Sequence, residues 1–283
     1  MTPAHYCEAC AQKSGSSFLS SFRFLSPDRR LAMTALYAFC REVDDVVDEM
    51  TDASAAALEL DCWRQRIDRL FAGDPDHPVT QALLPAIKVF DLPRELFQEI
   101  IDGMAMDLGE VRYPDFKTLQ LYCYRVASVV GLLSARIFGF TDRQTLRYAH
   151  DLGIAFQLTN IVRDVGEDAD RGRIYLPQDE LARYHVTEAQ ILAHQTCPGF
   201  NELMLFQIKR AESYYLRALS ELPKADRRAQ RPGLVMAAVY RAILRRILRD
   251  GCDVPLTRRV TLGKFRKLWL AWSTWVFAYR SMA

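Results

Sequence analysis

Apolar residues recur at three- and four-residue spacing along almost the whole chain, the pattern of helices that bury one face. This periodicity predicts helices over about 27–50, 54–72, 77–91, 93–109, 115–139, 142–168, 199–221, 231–250 and 261–280. Ser26-Pro27-Asp28, Asp91-Leu92-Pro93 and Thr141-Asp142 supply caps or a first-turn proline where such helices should start. No stretch alternates apolar and polar residues long enough for a strand, and there is no Asn-Gly hairpin signal, Gly/Ser linker or internal repeat. The one long irregular stretch, about 169–178, follows directly on an acidic cluster, and loops so placed often cover a site. The expectation is a single all-α domain over residues 1–283.

Two of these helices carry an acidic stripe on an otherwise apolar surface. At about 100° per residue, Tyr37, Arg41, Asp44 and Asp48 share one face of the first, among Ala38, Phe39, Cys40, Val43, Val46 and Val47. Two carboxylates four residues apart at a helix C-terminus repel each other and oppose the macrodipole, an arrangement a cation relieves. A solvated acidic helix end is the plain alternative. The second stripe, Gly153, Gln157, Asn160, Asp164 and Asp168, lies among Ile154, Phe156, Leu158, Ile161 and Val162. Asn and Asp oxygens are hard ligands suited to Mg²⁺, with water and phosphate oxygens completing the octahedron. Neither stripe holds His or Cys, which argues against zinc, and the Glu-x-x-His pairs of a di-iron bundle are absent.

Two such helices facing each other would hold Mg²⁺ ions around one diphosphate. Arg41 and Arg163 within the stripes, and Arg171 and Arg173 in the loop, would take phosphate oxygens directly. On the 115–139 helix, Tyr124, Ser128, Gly131 and Ala135 form a stripe of small residues beneath a tyrosine. It fits either close helix packing or room for a long prenyl chain.

Composition narrows the classes further. A net charge of +2 over 283 residues gives no reason to expect a nucleic-acid partner. Seven scattered cysteines read as reduced thiols of a cytoplasmic protein, and the Cys7–Cys10 pair has no matching second pair for zinc. Neither a signal peptide nor a stretch of the roughly 18 apolar residues that span a bilayer is expected. The end of the chain is basic and aromatic: Lys264, Arg266 and Lys267 adjoin Trp269, Trp272, Trp275, Phe277 and Tyr279. This segment fits packing of a last helix onto the core or peripheral contact with the inner face of a membrane.

The stretches Asp44-Asp45-Val46-Val47-Asp48-Glu49 and Asn160-Ile161-Val162-Arg163-Asp164-Val165-Gly166-Glu167-Asp168, with Arg173-Ile174-Tyr175-Leu176-Pro177 after them, resemble the squalene/phytoene synthase family. The resemblance runs from Tyr6 to about Trp272. It implies an isoprenoid-synthase helical bundle with a central active-site cavity, Mg²⁺, and head-to-head (1′–1) condensation of two prenyl diphosphates. Carried over by position, Asp44, Asp48, Asn160, Asp164 and Asp168 are implied metal ligands. Tyr37, Arg41, Gln157, Arg163 and Arg173 match diphosphate or substrate contacts, with Arg163 and Arg173 among the catalytic set. Tyr124 matches a tyrosine of proton handling or cation stabilisation, and Tyr175, Tyr240 and Arg259 match further substrate-side positions.

Within the family, Ser14-Gly15-Ser16-Ser17-Phe18 and Cys40-Arg41-Glu42-Val43-Asp44-Asp45 look most like bacterial presqualene diphosphate synthases of hopanoid biosynthesis. Ser14, Ser17 and Phe18 are therefore expected substrate contacts. Some dehydrosqualene synthases carry His and Lys where this chain has Ser14 and Ser16, so hydroxyls and backbone N–H groups would serve instead. The implied substrate is farnesyl diphosphate, two molecules per turnover, with no nicotinamide and with any reduction left to a downstream reductase. Phytoene or dehydrosqualene would come from the same ionisation chemistry. A generic Mg²⁺-dependent terpene cyclase would lack the Arg173–Pro177 loop, and a non-catalytic assembly factor would have lost acidic ligands.

Overall fold

A computed structural model of the protein describes residues 1–13 and 25–277, and among these every regular element is a helix. In chain order they are α1 (Pro3–Lys13), α2 (Pro27–Glu49), α3 (Ala53–Ala72), α4 (Pro78–Val89), α5 (Arg94–Ala105), α6 (Phe116–Cys123) and α7 (Val129–Phe138). Then follow α8 (Gln144–Asp170), α9 (Gln178–Arg183), α10 (Glu188–Leu192), α11 (Pro198–Glu221), α12 (Arg231–Asp250), α13 (Val254–Thr257) and α14 (Lys264–Phe277). A single π-helical turn, Tyr124–Ser128, joins α6 to α7. Backbone contacts divide the chain into two compact units, Met1–Gly109 with Val129–Thr141, and Glu110–Ser128 with Asp142–Ala283.

In the first unit local signals set the helix ends. Pro27 occupies the first turn of α2, where its missing N–H costs nothing. The Asp52 carboxylate accepts from Ser54 N–H at 2.8 Å to cap α3, and Gly73 closes that helix at φ 86°, its N–H returning to the last turn. His77 Nδ1 accepts from Val79 N–H while Thr80 Oγ1 accepts from His77 N–H, capping α4. Phe39 anchors the core: fully buried, it meets Trp63 of α3 edge-on at 5.7 Å and Phe97 of α5 at 5.4 Å. That packing fixes the rotation of α2. Phe39, Val43, Val46 and Val47 turn inward, and the acidic stripe is left on the opposite side.

In the second unit α11 packs along α8, the longest helix at 27 residues. Buried carboxylates join its parts. Asp226 accepts from Asp142 N–H at 3.0 Å and Thr145 Oγ1 at 2.7 Å, at the start of α8. Asp151 is paired with Arg217 of α11, and Glu180 of α9 accepts from Gln207 at 2.5 Å and from Arg210. Each buried charge thus has hydrogen-bonded partners of its own.

Two glycines of α8 allow backbone approaches that no other residue could. A Cβ on Gly153 would lie 2.4 Å from Ser128 Cα, and one on Gly166 would lie 2.4 Å from the Leu256 carbonyl oxygen. The π turn and α13 are seated against α8 at these two points.

The structure departs from the expected pattern in three respects. The helices α1, α9, α10 and α13 are additional; the last three are too short to show a period. The 115–139 helix is interrupted by the π turn, which inserts an extra residue per turn and breaks the expected Tyr124–Ser128–Gly131–Ala135 alignment. Finally, the 23-residue run Phe116–Phe138 is long and apolar enough by length and composition to cross a membrane, contrary to expectation. Half of its apolar window is buried in the protein, as in a core helix.

Candidate active site

On α2 the acidic stripe forms as expected. Asp44 and Asp48 lie one turn apart, and Arg41 one turn earlier donates to Asp44 at 3.1 Å and pairs with Asp45. Burial pushes the Asp44 carboxyl up to about 6, the Asp48 charge adds to the rise, and Arg41 only partly offsets it. Burial likewise raises Asp45. A carboxylate pair that resists ionisation in this way is one that a hard cation would stabilise. Tyr37 is half-buried on the same face, and Asp48 is exposed.

On α8 the second stripe is equally ordered. The Asn160 amide donates to Gln157 Oε1 at 3.2 Å, which fixes its orientation, and its Oδ1 is buried without a hydrogen-bond partner. An orphaned acceptor costs about 1–3 kcal/mol, and a cation would satisfy it. One turn on, Asp164 is held from two sides. Arg163 Nε donates to Oδ1 at 2.7 Å with a second bond to Oδ2, and Arg259 Nε approaches Oδ1 at 3.1 Å while reaching Glu167 at 3.2 Å. Burial disfavours the Arg163 charge, but Asp164 outweighs it and the net shift is upward. Asp168 completes the stripe, and its carbonyl accepts the N–H groups of Arg171 and Arg173 as the chain leaves α8.

The approach of Arg259 depends on Gly166. Because α13 sits directly on that glycine, the segment after it is delivered beside Asp164. His194 ties the arrangement down, with Nδ1 on the Leu256 carbonyl at 2.5 Å and Nε2 on Asp170 at 2.9 Å. The Leu256 carbonyl, and then Asp170, raise the His194 pKa. Two acceptors on one ring are both satisfied only by the protonated imidazole.

An aromatic wall flanks the arginine. Tyr240 lies 5.9 Å beneath the Arg163 guanidinium and 4.9 Å from the Phe156 ring, which also meets Tyr215 at 6.0 Å. Phe156 and Tyr215 were not among the expected site residues. Their role depends on the pairing of α8 with α11 and α12, which local patterning does not display.

Tyr124 lies within the π turn, half-buried, with its ring 5.8 Å from His150. Single π turns inside α-helices concentrate at functional sites. Ser128 does not open a cavity: it is fully buried against Gly153 and donates to the His150 carbonyl at 2.7 Å. Tyr175 is buried as well, stacked on Tyr122 at 5.2 Å and Tyr113 at 6.1 Å. It secures the loop after α8, whose Ile174 and Gln178 N–H groups reach the carbonyls of Val111 and Tyr113. Arg173 is half-buried in the same loop, and Ser14, Ser17 and Phe18 lie outside the described residues.

Among the described residues no three Asp, Glu, His or Cys side chains group as a ready-made metal cage. The donor sets instead suit Mg²⁺, which takes one or two carboxylates and fills its octahedron with phosphate oxygens and water. Asp44 with Asp48, and Asn160 with Asp164 and Asp168, are sets of this kind. Arg41 offsets only part of the first set's charge, while Arg163 and Arg259 both flank Asp164 in the second.

A model of the squalene/phytoene synthase family matches residues 11–266, a span that includes parts of both units. Phytoene synthase of Arthrospira platensis is 38% identical over 93% of this chain and 89% of its own length. Chloroplastic phytoene synthase 3 of Zea mays is 36% identical over 93% of this chain, which spans only 63% of that relative. A dehydrosqualene synthase crystallised with a ligand is 28% identical, covers 98% of this chain and 96% of its own, and superposes with a TM-score of 0.84.

Proposed function

From the premise that the chain belongs to the squalene/phytoene synthase family, we propose that it condenses two prenyl diphosphates head to head, with farnesyl diphosphate as substrate and presqualene diphosphate as product. The observation that carries this reading is the α8 stripe: an unpartnered Asn160 Oδ1 beside an Asp164 carboxylate held by Arg163 and Arg259. It combines hard oxygen donors with guanidinium groups, the two functions that a departing diphosphate requires.

Asp44, Asp48, Asn160, Asp164 and Asp168 are the residues that would hold Mg²⁺. When bound, Mg²⁺ supplies Lewis-acid stabilisation of the negative charge that develops as the allylic C–O bond breaks. The chain's own part is positioning and charge. Arg41, Arg163 and Arg259, now paired with carboxylates, can exchange those partners for phosphate oxygens without losing a counter-charge. The aromatic wall of Phe156 and Tyr240 keeps the arginine side apolar and can face an allylic cation. In the reaction, the 2,3-double bond of the second farnesyl diphosphate attacks C1 of the first as diphosphate leaves. Loss of one proton then closes the cyclopropane. Tyr124 or the released diphosphate accepts that proton.

The resemblance of Cys40–Asp45 to presqualene diphosphate synthases supports this product. A second reading, phytoene from two C20 donors, is supported by the phytoene synthases that match over nine-tenths of the chain. Incubation with Mg²⁺ and either farnesyl or geranylgeranyl diphosphate, without nicotinamide, tests both. Mass spectrometry after dephosphorylation should find presqualene alcohol from the C15 donor. Phytoene formed only from the C20 donor would replace the product assignment, and no product from either donor would overturn the function.

A further inference from the structure

The last helix has a face that the proposed reaction does not use. Along α14, Phe265, Leu268, Trp269, Trp272 and Val276 are 89%, 62%, 62%, 58% and 47% exposed. At about 100° per residue they fall within a stripe roughly 100° wide. The other side of the helix belongs to the fold. It packs on α12, and Leu270, Ala271 and Thr274, turned away from the stripe, are half-buried. The Trp275 ring, at the edge of the stripe, has the Arg231 guanidinium 5.4 Å from its centre.

The charges beside the stripe identify what it meets. Lys264 and Arg266 lie on either flank, both exposed. From residue 254 to the end, the sequence contains Arg258, Arg259, Lys264, Arg266, Lys267 and Arg280 and no Asp or Glu. A second copy of the chain would bring an equally basic segment against this one, so self-association through the stripe is opposed by like charge. An anionic lipid surface complements it. Tryptophan rings seat at the headgroup level, leucine and phenylalanine reach the acyl boundary, and flanking Lys and Arg meet lipid phosphates. Over its described residues, Lys264–Phe277, α14 is about 21 Å long, short of the roughly 30 Å hydrocarbon core.

We infer that α14 is a membrane-surface anchor, lying in the plane of an anionic bilayer with Phe265, Leu268, Trp269, Trp272 and Val276 inserted. This inference stands on α14 alone and is independent of the proposed reaction.

The test uses the full chain with vesicles of phosphatidylcholine and with an equimolar phosphatidylcholine–phosphatidylglycerol mixture. Cosedimentation should favour the anionic vesicles by about tenfold or more and weaken with added salt. Trp269→Ser with Trp272→Ser should abolish binding to both. Lys264→Glu, Arg266→Glu and Lys267→Glu together should remove the anionic preference. A second measurement needs no variant: brominated lipid should quench tryptophan emission, while buried Trp63, 2% exposed, stays unquenched. Absence of vesicle binding by the unaltered chain would overturn the inference. So would equal binding by the tryptophan variant, or a dimer that the same substitutions dissociate.

Discussion

Replacing Gly153 by alanine tests whether the seam between α8 and the π turn positions Tyr124. The added Cβ would lie 2.4 Å from Ser128 Cα, 2.6 Å from Ser128 N and 2.7 Å from the Ala127 carbonyl oxygen, against 3.4–4 Å for ordinary contact. All three atoms are backbone, so no side chain can rotate away and the two elements must separate. Overpacking of this kind costs about 1–3 kcal/mol, and a rigid neighbour places it toward the upper end. Alanine returns about 1 kcal/mol through helix propensity, leaving a net loss of roughly 2 kcal/mol. At about 2–4 °C per kcal/mol for a chain near this size, the melting temperature should fall by about 4–8 °C. Because Tyr124 lies in the displaced turn, turnover should fall by about tenfold or more even well below the melting point. Circular dichroism melting and product formation are the assays. Gly263→Ala is the control, since a Cβ there meets nothing within 4 Å. A Gly153→Ala protein that melts at or above the parent temperature would refute the seam.

Other substitutions address the site and its supports. Asp44→Ala or Asp164→Ala should each reduce turnover by about a thousandfold or more, measured as product per enzyme with Mg²⁺ present; activity retained in both would remove the metal assignment. Arg259→Lys keeps the charge but loses the planar fork that reaches both Asp164 and Glu167. It should raise the KM for the prenyl diphosphate more than it lowers kcat, and an unchanged KM would contradict a substrate-side role. Asp151 tests the fold's acid limb. Burial opposes its ionised form, but hydrogen bonds from Arg217 and His150 prevail and its pKa is lowered. Its contribution is therefore present above the unfolded carboxylate range near pH ~4 and disappears as pH falls through the lower folded value. Asp151→Asn should flatten the melting-temperature profile below about pH 5 and cost about 1–2 kcal/mol at neutrality. The figure stays small because Arg217 keeps half its surface in solvent. A profile parallel to that of the parent would contradict the assignment.

The helical framework and both acidic stripes were legible because they depend on periodicity. Val43, Val46 and Val47 are inward and Asp44 is on the other face, as their spacing requires. What escaped depends on long-range contacts or on backbone detail. A π turn shifts side chains by one residue, and the pattern Tyr124-Arg125-Val126-Ala127-Ser128 reads equally well as ordinary helix. The stacking of Tyr175 on Tyr122 and Tyr113 joins residues far apart in sequence. The grip of Arg259 on Asp164 needs α13 to sit on Gly166, an approach visible only once the chain is folded. Gly166, inside the acidic motif between Val165 and Glu167, was the available hint.

The most direct test of metal-assisted ionisation is diphosphate release from farnesyl diphosphate, followed after chelation by EDTA and again after Mg²⁺ is restored. The parent protein should lose release on chelation and recover it with Mg²⁺, while Asp44→Asn and Asp164→Asn stay inactive throughout. Release that persists in EDTA, or that Mg²⁺ restores equally in both variants, would contradict the account.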